Sequence, residues 1–370
     1  MEGRGRAVRL ARPSLSVLTS LRFFAAAAVV LFHIVVGRSG DTVPVNGFLA
    51  NLANGGYAAV TFFFILSGFI LTYAHAGNSE SDPLDIKTKT FWKLRIARIL
   101  PAYLLGLVLA LPILIAFLRI LSPLEALAAP LLVVSFLQAW YPPLSEVWNY
   151  PAWSLSVEVL FYVSFPWLFL AFTRLRRPWL FLIAYALVLI SAVIRTWVGD
   201  NLSHHFPLFH LPLFIFGMAL GRQFLFGRIA SIESHAVMFV VGLLALIALF
   251  GFRSLPPWTR CDAVLVLVFS SIIFGGARPA GAMALLSVPA MVLLGEASYS
   301  IYILHVPLRL LWDDLKFGLP LWLNLPLYFA ALVVFSVFSF RCVETPLRKL
   351  ISNWRPTIPA RPPDPASITG

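Results

Sequence analysis

The 370-residue chain is strongly apolar, since 60% of its residues are hydrophobic and only 12% are charged. Its mean hydropathy of +0.87 lies outside the range of soluble domains and indicates an integral membrane protein. A net charge of +12 also occurs in nucleic-acid-binding proteins. In this chain the basic residues are distributed between loops as membrane topology requires, so we expect no nucleic-acid partner.

Ten apolar segments long enough to cross a bilayer as helices occur along the chain. Their apolar runs are continuous rather than alternating with polar residues, which is typical of membrane helices and not of membrane barrels. The sequence therefore predicts an all-α fold, a polytopic integral membrane bundle of about ten transmembrane helices. The predicted spans are 15–36, 57–75, 99–121, 152–173, 178–198, 206–222, 235–252, 261–277, 297–313 and 319–341.

The orientation follows from the basic residues. If the N-terminus lies in the cytoplasm, the inside loops hold 20 Lys and Arg residues and the outside loops hold 7. This bias predicts that both the N- and the C-terminus are cytoplasmic. Arg22 interrupts the apolar core that a signal peptide needs, so we expect an uncleaved first helix. We divide the chain into a basic N-terminus (1–14), a membrane domain (15–350) and a Pro-rich, disordered cytoplasmic tail (351–370).

Two apolar segments, 125–140 and 284–294, do not fit as additional spans. The basic clusters at 87–98 and 174–177 are both predicted to be cytoplasmic, so an even number of crossings separates them. We therefore expect 125–140 to be re-entrant or interfacial on the outer side, and 284–294 to be interfacial on the inner side.

Arg22 and His33 are the ionisable residues of the first span, and they lie eleven positions apart. Eleven steps of about 100° come within about 20° of three full turns, so both side chains share one helix face, about 16 Å apart along the axis. Ionisable side chains inside a membrane usually mark a functional pathway. The alternative for Arg22 is that it snorkels to the inner interface.

Arg95 and Arg98 lie three residues apart on one predicted helix face, shortly before Pro101. Ordinary anchoring by positive charge at the cytoplasmic interface explains such a pair without any function. Paired guanidiniums also bind phosphate oxygens bidentately, so the pair is a candidate clamp for a phosphate-bearing ligand.

Two further spans carry polar residues at helical spacing. Glu158 is the only acid of the fourth span, and it is either solvated near the outer interface or paired inside the bundle. Tyr302 and His305 share one face of the ninth span. His305 lies two residues before Pro307, so it is either part of a polar seam or a structural cap on a carbonyl that the proline frees.

Other clusters have simpler interpretations. His204, His205 and His210 lie near the outer end of the sixth span without the carboxylate or thiol neighbours that a metal site needs, so we predict no metal. Glu344 lies between arginines at the end of the last span, which is typical of a surface ion-pair cluster.

Taken together, these segments resemble the membrane acyltransferase-3 family of bacteria. The similar motifs occur in the family's order and extend from about residue 15 to 350. They are the Arg22-x10-His33 element, FFFILSGF, Arg95-x-x-Arg98 before Pro101, WSLSVE, GEASYSIYILHVP and VETP. The chain resembles the stand-alone form, without the C-terminal extracytoplasmic hydrolase-like domain of some members.

The resemblance implies an O-acyltransferase of the bacterial cytoplasmic (inner) membrane. It moves an acyl group, often acetyl, from cytosolic acyl-CoA to a hydroxyl of an acceptor such as a surface polysaccharide, lipopolysaccharide, a glycolipid or a macrolide. By motif position, Arg22, His33, Arg95 and Arg98 match residues regarded as functional. Glu158, Tyr302 and His305 match other recurring positions.

The residues suggest the same chemistry. We expect His33 to act as general base or as acyl carrier, assisted by Arg22 and Glu158, while Arg95, Arg98, Tyr302 and His305 contact the donor. Acyl-CoA is then a substrate, and no permanently bound cofactor is expected. The alternative is a secondary transporter that uses the intramembrane Arg, His and Glu residues as a proton relay. The sequence does not indicate the oligomeric state.

Overall fold

The computed structural model describes residues 12–36, 47–84, 86–227, 231–252, 255–315 and 318–353. Helices and turns account for these residues, without a strand among them. The helices are α1 Ser16–Val36, α2 Phe48–Asn54, α3 Ala59–His75, α4 Thr88–Leu109, α5 Leu111–Leu118, α6 Pro123–Val134, α7 Trp153–Thr173, α8 Arg177–Val198, α9 Asp200–Ser203, α10 Leu211–Phe226, α11 Ile232–Gly251, α12 Asp262–Gly276, α13 Pro289–Glu296, α14 Ser298–Asp314, α15 Leu321–Ser339 and α16 Thr345–Asn353.

The predicted fold class is confirmed. Within the described ranges, seven helical stretches are long and apolar enough to cross a membrane. Three bent pairs pass the same test together, and counting each pair as one span brings the number to ten. The pairs are α4 with α5, bent by 59°, α12 with the 3-10 helix Gly281–Ser287, bent by 87°, and α13 with α14, bent by 55°.

The two leftover apolar segments form short helices. The first predicted segment, 125–140, is mostly α6, whose 12 residues cover only about 18 Å, less than the roughly 30 Å hydrocarbon core. This length fits an element that does not cross the bilayer. The second, 284–294, falls on the 3-10 helix Gly281–Ser287 and on α13. Because α13 and α14 pass the span test as a pair bent by 55°, which is either a broken span or a re-entrant element, the interfacial position of 284–294 stays a prediction.

The two described ends of the chain lie at the same end of the bundle. Arg12 donates hydrogen bonds to the carbonyls of Ala76 and Gly77, just beyond α3, at 2.9 and 2.7 Å. Lys93, in the first turns of α4, donates to the carbonyl of Ser352 at 2.7 Å. This placement agrees with an even number of crossings, whereas the cytoplasmic orientation stays a prediction from charge. We call the end of the bundle where α1 begins the Ser16 end, and the opposite end, where α1 finishes, the Val36 end.

The most extensive helix–helix contact within the described residues is between α3 and α10. A Cβ atom on Gly68 would clash with the backbone carbonyl of Phe214, and one on Gly217 would clash with that of Ile65. Gly217 and Gly221 form a GxxxG pair on α10, the pattern that lets membrane helices approach at backbone distance. Gly68, in the FFFILSGF segment, therefore has a structural role in bringing α3 and α10 together.

We predict that Gly68→Val destabilises the protein by about 3 kcal/mol, because the added atoms meet a backbone carbonyl that cannot move without separating two helices. Thermal unfolding of the detergent-solubilised protein, followed by size-exclusion chromatography, measures the loss. Ala171→Val is the control, because Ala171 is exposed on α7. Equal melting temperatures for the two variants contradict the prediction.

Candidate active site

Two cavities lie inside the bundle, one towards each end. The smaller, towards the Ser16 end, has a volume of about 190 Å³. The larger, towards the Val36 end, has about 740 Å³. The polar lining of the smaller cavity includes Arg22, Arg95, Arg98, Glu158, Tyr162 and Tyr302. The lining of the larger cavity includes His33, Tyr57, Tyr150, Trp153, Arg195 and Asp262.

Arg22 and His33 both point into the interior, as their spacing on α1 predicts, but they line different cavities. Arg22 lines the smaller and His33 the larger. Val60, Phe64 and Tyr302 are common to both linings. Arg22 and His33 therefore line two neighbouring cavities, which share a wall formed by these three residues.

His33 is hydrogen-bonded to His305. The distance from His33 Nδ1 to His305 Nε2 is 3.0 Å, and the rings are stacked with centroids 4.9 Å apart and planes inclined by 25°. His305 Nδ1 lies 2.6 Å from the carbonyl oxygen of Tyr302. A carbonyl only accepts, so Nδ1 of His305 carries a proton and, in the neutral ring, Nε2 accepts. His33 must then donate from Nδ1, which makes Nε2 its basic nitrogen.

The backbone around His305 is held by side chains from two other elements. Pro307 has no N–H, which frees the carbonyl of Ile303, and Asn149 Nδ2 donates to that oxygen at 3.0 Å. Tyr328 donates its hydroxyl proton to the carbonyl of His305 at 2.6 Å. The freed carbonyl is therefore capped by Asn149, and the interpretation of His305 as that cap is wrong.

The segment between α6 and α7 brings Asn149 to this place. Trp148 has a φ of 85° and Phe136 a φ of 58°, values that are unusual for residues other than glycine and that cluster at functional sites. Trp148 Nε1 donates to the carbonyl of Leu107 at 2.8 Å, which fixes the turn. Tyr150, two residues on, contacts the His33 ring edge-to-face at 5.1 Å. Asn149 and Tyr150 could not be predicted as site residues, because their positions depend on this backbone conformation.

The smaller cavity is cationic, since three guanidiniums line it against one carboxylate. Glu158 accepts a hydrogen bond from Tyr162, one turn away on α7. The guanidinium of Arg95 lies 5.8 Å from the Phe91 ring centroid, a cation–π distance. Its buried Nε has no hydrogen-bond partner within the described part of the chain. The arrangement suits an anionic ligand.

Arg98 is held by a carboxylate that the sequence analysis assigned to the surface. Arg98 Nη1 lies 3.6 Å from Glu344 Oε2, and Glu344, only 2% exposed, accepts a hydrogen bond from Ser300. The surface ion-pair interpretation of Glu344 is therefore wrong. Glu344 ends a single π-helical turn, Phe340–Glu344, a feature that often occurs at functional sites and that the residue pattern did not reveal.

The histidine cluster lines the larger cavity near Trp153. His205 Nε2 lies 3.0 Å from Glu146 Oε1, and His210 Nε2 lies 2.9 Å from the carbonyl of His204. In the lining of the same cavity, Arg195 Nη1 forms an ion pair with Asp262 Oδ2 at 2.6 Å. The described residues contain no group of three or more side chains placed to hold a metal ion.

The structure brings the seven predicted site residues to one region. Arg22, Glu158, Arg95, Arg98 and Tyr302 line the smaller cavity. His33 lines the larger one, and His305 is joined to it by the hydrogen bond described above. His305 is therefore placed beside His33 rather than beside the paired arginines.

Comparisons with known proteins identify the family of the chain. A family profile described as "Acyltransferase domain", that of acyltransferase family 3, matches residues 16–341. Acyltransferase MdmB of Streptomyces mycarofaciens is 28% identical over 98% of this chain and 97% of its own length. Peptidoglycan O-acetyltransferase OatA of Listeria monocytogenes is 27% identical over 93% of this chain, and O-acetyltransferase OatA of Staphylococcus aureus is 24% identical over 90%.

The match covers 57% of the length of each of these OatA proteins, so the chain spans little more than half of them. No solved structure matches the chain. The family profile covers most of the sequence, and the described helices provide seven to ten candidate membrane spans. The chain therefore belongs to the acyltransferase-3 family of multi-pass membrane proteins and is an acyltransferase.

Proposed function

We propose that the protein transfers a short acyl group, acetyl in the first instance, from acyl-CoA to a hydroxyl of a carbohydrate, glycolipid or macrolide. The donor enters the smaller cavity from the Ser16 end, on the cytoplasmic side of a bacterial inner membrane, and the acceptor occupies the larger cavity. The observation that carries this proposal is the meeting of the two cavities at one wall, with guanidiniums on one side and His33 on the other. Substrates from opposite ends can react there.

The donor assignment rests on charge and size. Acyl-CoA carries several phosphates, and each charge-assisted contact from Arg95 or Arg98 contributes about 1.5–3 kcal/mol. A cavity of about 190 Å³ is below the roughly 300–1,000 Å³ of sites that enclose a drug-sized ligand. Only the slim pantetheine arm and its acyl group fit inside, so the nucleotide stays at the mouth, with Arg22 deeper along the arm.

The acceptor assignment rests on the larger cavity. Its volume of about 740 Å³ lies within the usual range for ligand sites. Aromatic rings from Tyr57, Tyr150 and Trp153 offer faces for an acceptor ring, and Arg195 with Asp262 offers hydrogen-bonding groups. The names of the relatives, a peptidoglycan O-acetyltransferase and an acyltransferase, support a hydroxyl acceptor of this kind.

In the proposed reaction, the acceptor oxygen attacks the thioester carbonyl carbon. A C–O bond forms, the C–S bond breaks, and the hydroxyl proton moves to Nε2 of His33. The CoA thiolate takes up the proton that Nε2 of His33 releases and leaves through the smaller cavity as the thiol, which restores the neutral imidazole. His305 accepts the hydrogen bond from Nδ1 of His33 and so fixes the tautomer in which Nε2 is the base.

A two-step route through an acyl-His33 intermediate uses the same residue. We favour direct transfer, because the hydrogen bond to His305 provides the fixed tautomer that a general base needs. Glu158 lowers the excess of positive charge in the smaller cavity, and Tyr302, at the shared wall, is placed to contact the thioester.

We predict that His33→Ala lowers kcat by about 10²- to 10⁴-fold, the usual contribution of a general base, without loss of membrane insertion. Release of CoA thiol from acetyl-CoA by proteoliposomes, in the presence of extracted native acceptor, measures the rate. Near-wild-type release by the variant removes His33 from the mechanism.

The transporter alternative is tested with the wild-type protein. Solute flux through proteoliposomes without any acyl-CoA, together with no thiol release when acyl-CoA is added, favours that alternative.

His305 variants test the tautomer argument. His305→Gln keeps an oxygen that can accept the proton of His33 Nδ1, whereas His305→Leu removes the acceptor at similar size. We expect the Leu variant to lose about 100-fold in kcat and the Gln variant to lose clearly less, at similar donor KM. Equal losses in both variants would show that the hydrogen bond does not matter.

We expect alanine variants of Arg95 and Arg98 to weaken donor binding similarly but to differ in their effect on protein stability. Arg95→Ala and Arg98→Ala each raise the donor KM about tenfold or more through the loss of a phosphate contact. Arg98→Ala also leaves the buried carboxylate of Glu344 without its ion pair and lowers the melting temperature. Adding Glu344→Gln to Arg98→Ala restores stability without restoring the donor KM. An unchanged donor KM in both single variants would mean that the arginines are anchoring charges only.

A further inference from the structure

We propose that the wall shared by the two cavities, formed by Val60, Phe64 and Tyr302, sets the length of the acyl group that the enzyme accepts. We call these three residues the partition. The inference rests on the proposed function, because it takes acyl-CoA as the donor. It adds the residues that select among donors.

The partition continues a helix face that runs along the smaller cavity. Val60 and Phe64 are four residues apart on α3, and Ser67 and Leu71, one and two turns further, line the same cavity. Tyr302 faces them from α14. A ligand that moves along this face from the Ser16 end therefore reaches Val60 and Phe64 last.

The leading end of the donor is its acyl group. The CoA phosphates stay near Arg95 and Arg98, and the extended pantetheine arm leads from them into the smaller cavity. His33 lines only the larger cavity, so the thioester must reach the partition to react, and the acyl chain attached to it then contacts Val60, Phe64 and Tyr302. The transfer itself is unchanged, since the same C–O bond forms and the same C–S bond breaks.

Two members of the partition are fixed in place. The Phe64 ring is 4% exposed and lies 5.2 Å from the ring centroid of Phe161 and 5.1 Å from that of His210. The Tyr302 hydroxyl lies 2.8 Å from Ser154 Oγ and donates to the carbonyl of Pro151 at 3.2 Å. Because Phe64 and Tyr302 are held in place, the space that the partition leaves for an acyl group is fixed in size.

Val60 is the member that can be changed in size with least damage. It is half-buried and lines both cavities, so a larger side chain has space to enter. Phe64 is in the core, and its truncation risks unfolding. Val60→Ala enlarges the space at the partition, and Val60→Phe reduces it.

An internal competition measures the selection. Membranes of the native organism, deleted for its own copy and complemented with each full-length variant, receive equal amounts of acetyl-CoA and butyryl-CoA. Mass spectrometry of the native acceptor gives the ratio of butyryl to acetyl product. This ratio reports relative kcat/KM, and it does not depend on how much of a variant folds.

We expect Val60→Ala to raise the ratio about tenfold and Val60→Phe to lower it about tenfold, since each methylene in an apolar pocket changes specificity by roughly 10- to 200-fold. Val240→Ala is the matched control. Val240 is 51% exposed on α11 and lines neither cavity, so its ratio should equal that of the wild type.

Two results overturn the inference in distinguishable ways. If the wild type acetylates the acceptor from acetyl-CoA but both Val60 variants keep its ratio, the partition does not select the acyl group, although the proposed function stands. If the wild type transfers no label from either acyl-CoA, the proposed donor is wrong and this inference fails with it.

Discussion

The hydrogen bond between His33 and His305 joins α1 to α14 and determines which nitrogen of His33 is basic. It depends in turn on the carbonyl of Tyr302, which accepts from the other nitrogen of His305. Asn149 and Tyr328 hold the neighbouring carbonyls. Because a carbonyl can only accept, these hydrogen bonds fix the proton positions of both neutral imidazoles before a substrate arrives, as the proposed general base requires.

The second constraint is the cost of charge inside a membrane. Arg22, Arg95 and Arg98 are tolerated because they face a cavity and because buried carboxylates lie near them. Glu344 holds Arg98 directly, while Glu158 lines the same cavity. The excess of cations that remains is the property that a phosphate-bearing donor can use. In the larger cavity the charge of Arg195 is instead balanced by its ion pair with Asp262.

The sequence predicted the helix class, the approximate spans and the inward face of α1, because apolar length and helical spacing are local properties. The seven predicted site residues also come together, although periodicity could not show that His305 pairs with His33 rather than lying beside the arginines. Asn149 and Glu344 were missed for a physical reason. The first depends on a strained turn at Trp148 and the second on a π-helical turn, and neither is readable from residue pattern.

The central claim is that donor and acceptor meet at the wall between the two cavities. The most direct test is an electron cryomicroscopy structure with S-ethyl-CoA, a thioether analogue of acetyl-CoA that cannot react. The account predicts phosphate density beside Arg95 and Arg98 and the ethyl group against Val60 and Tyr302, on the side facing His33. Nucleotide density in the larger cavity, or on the lipid-facing surface of the bundle, would contradict it.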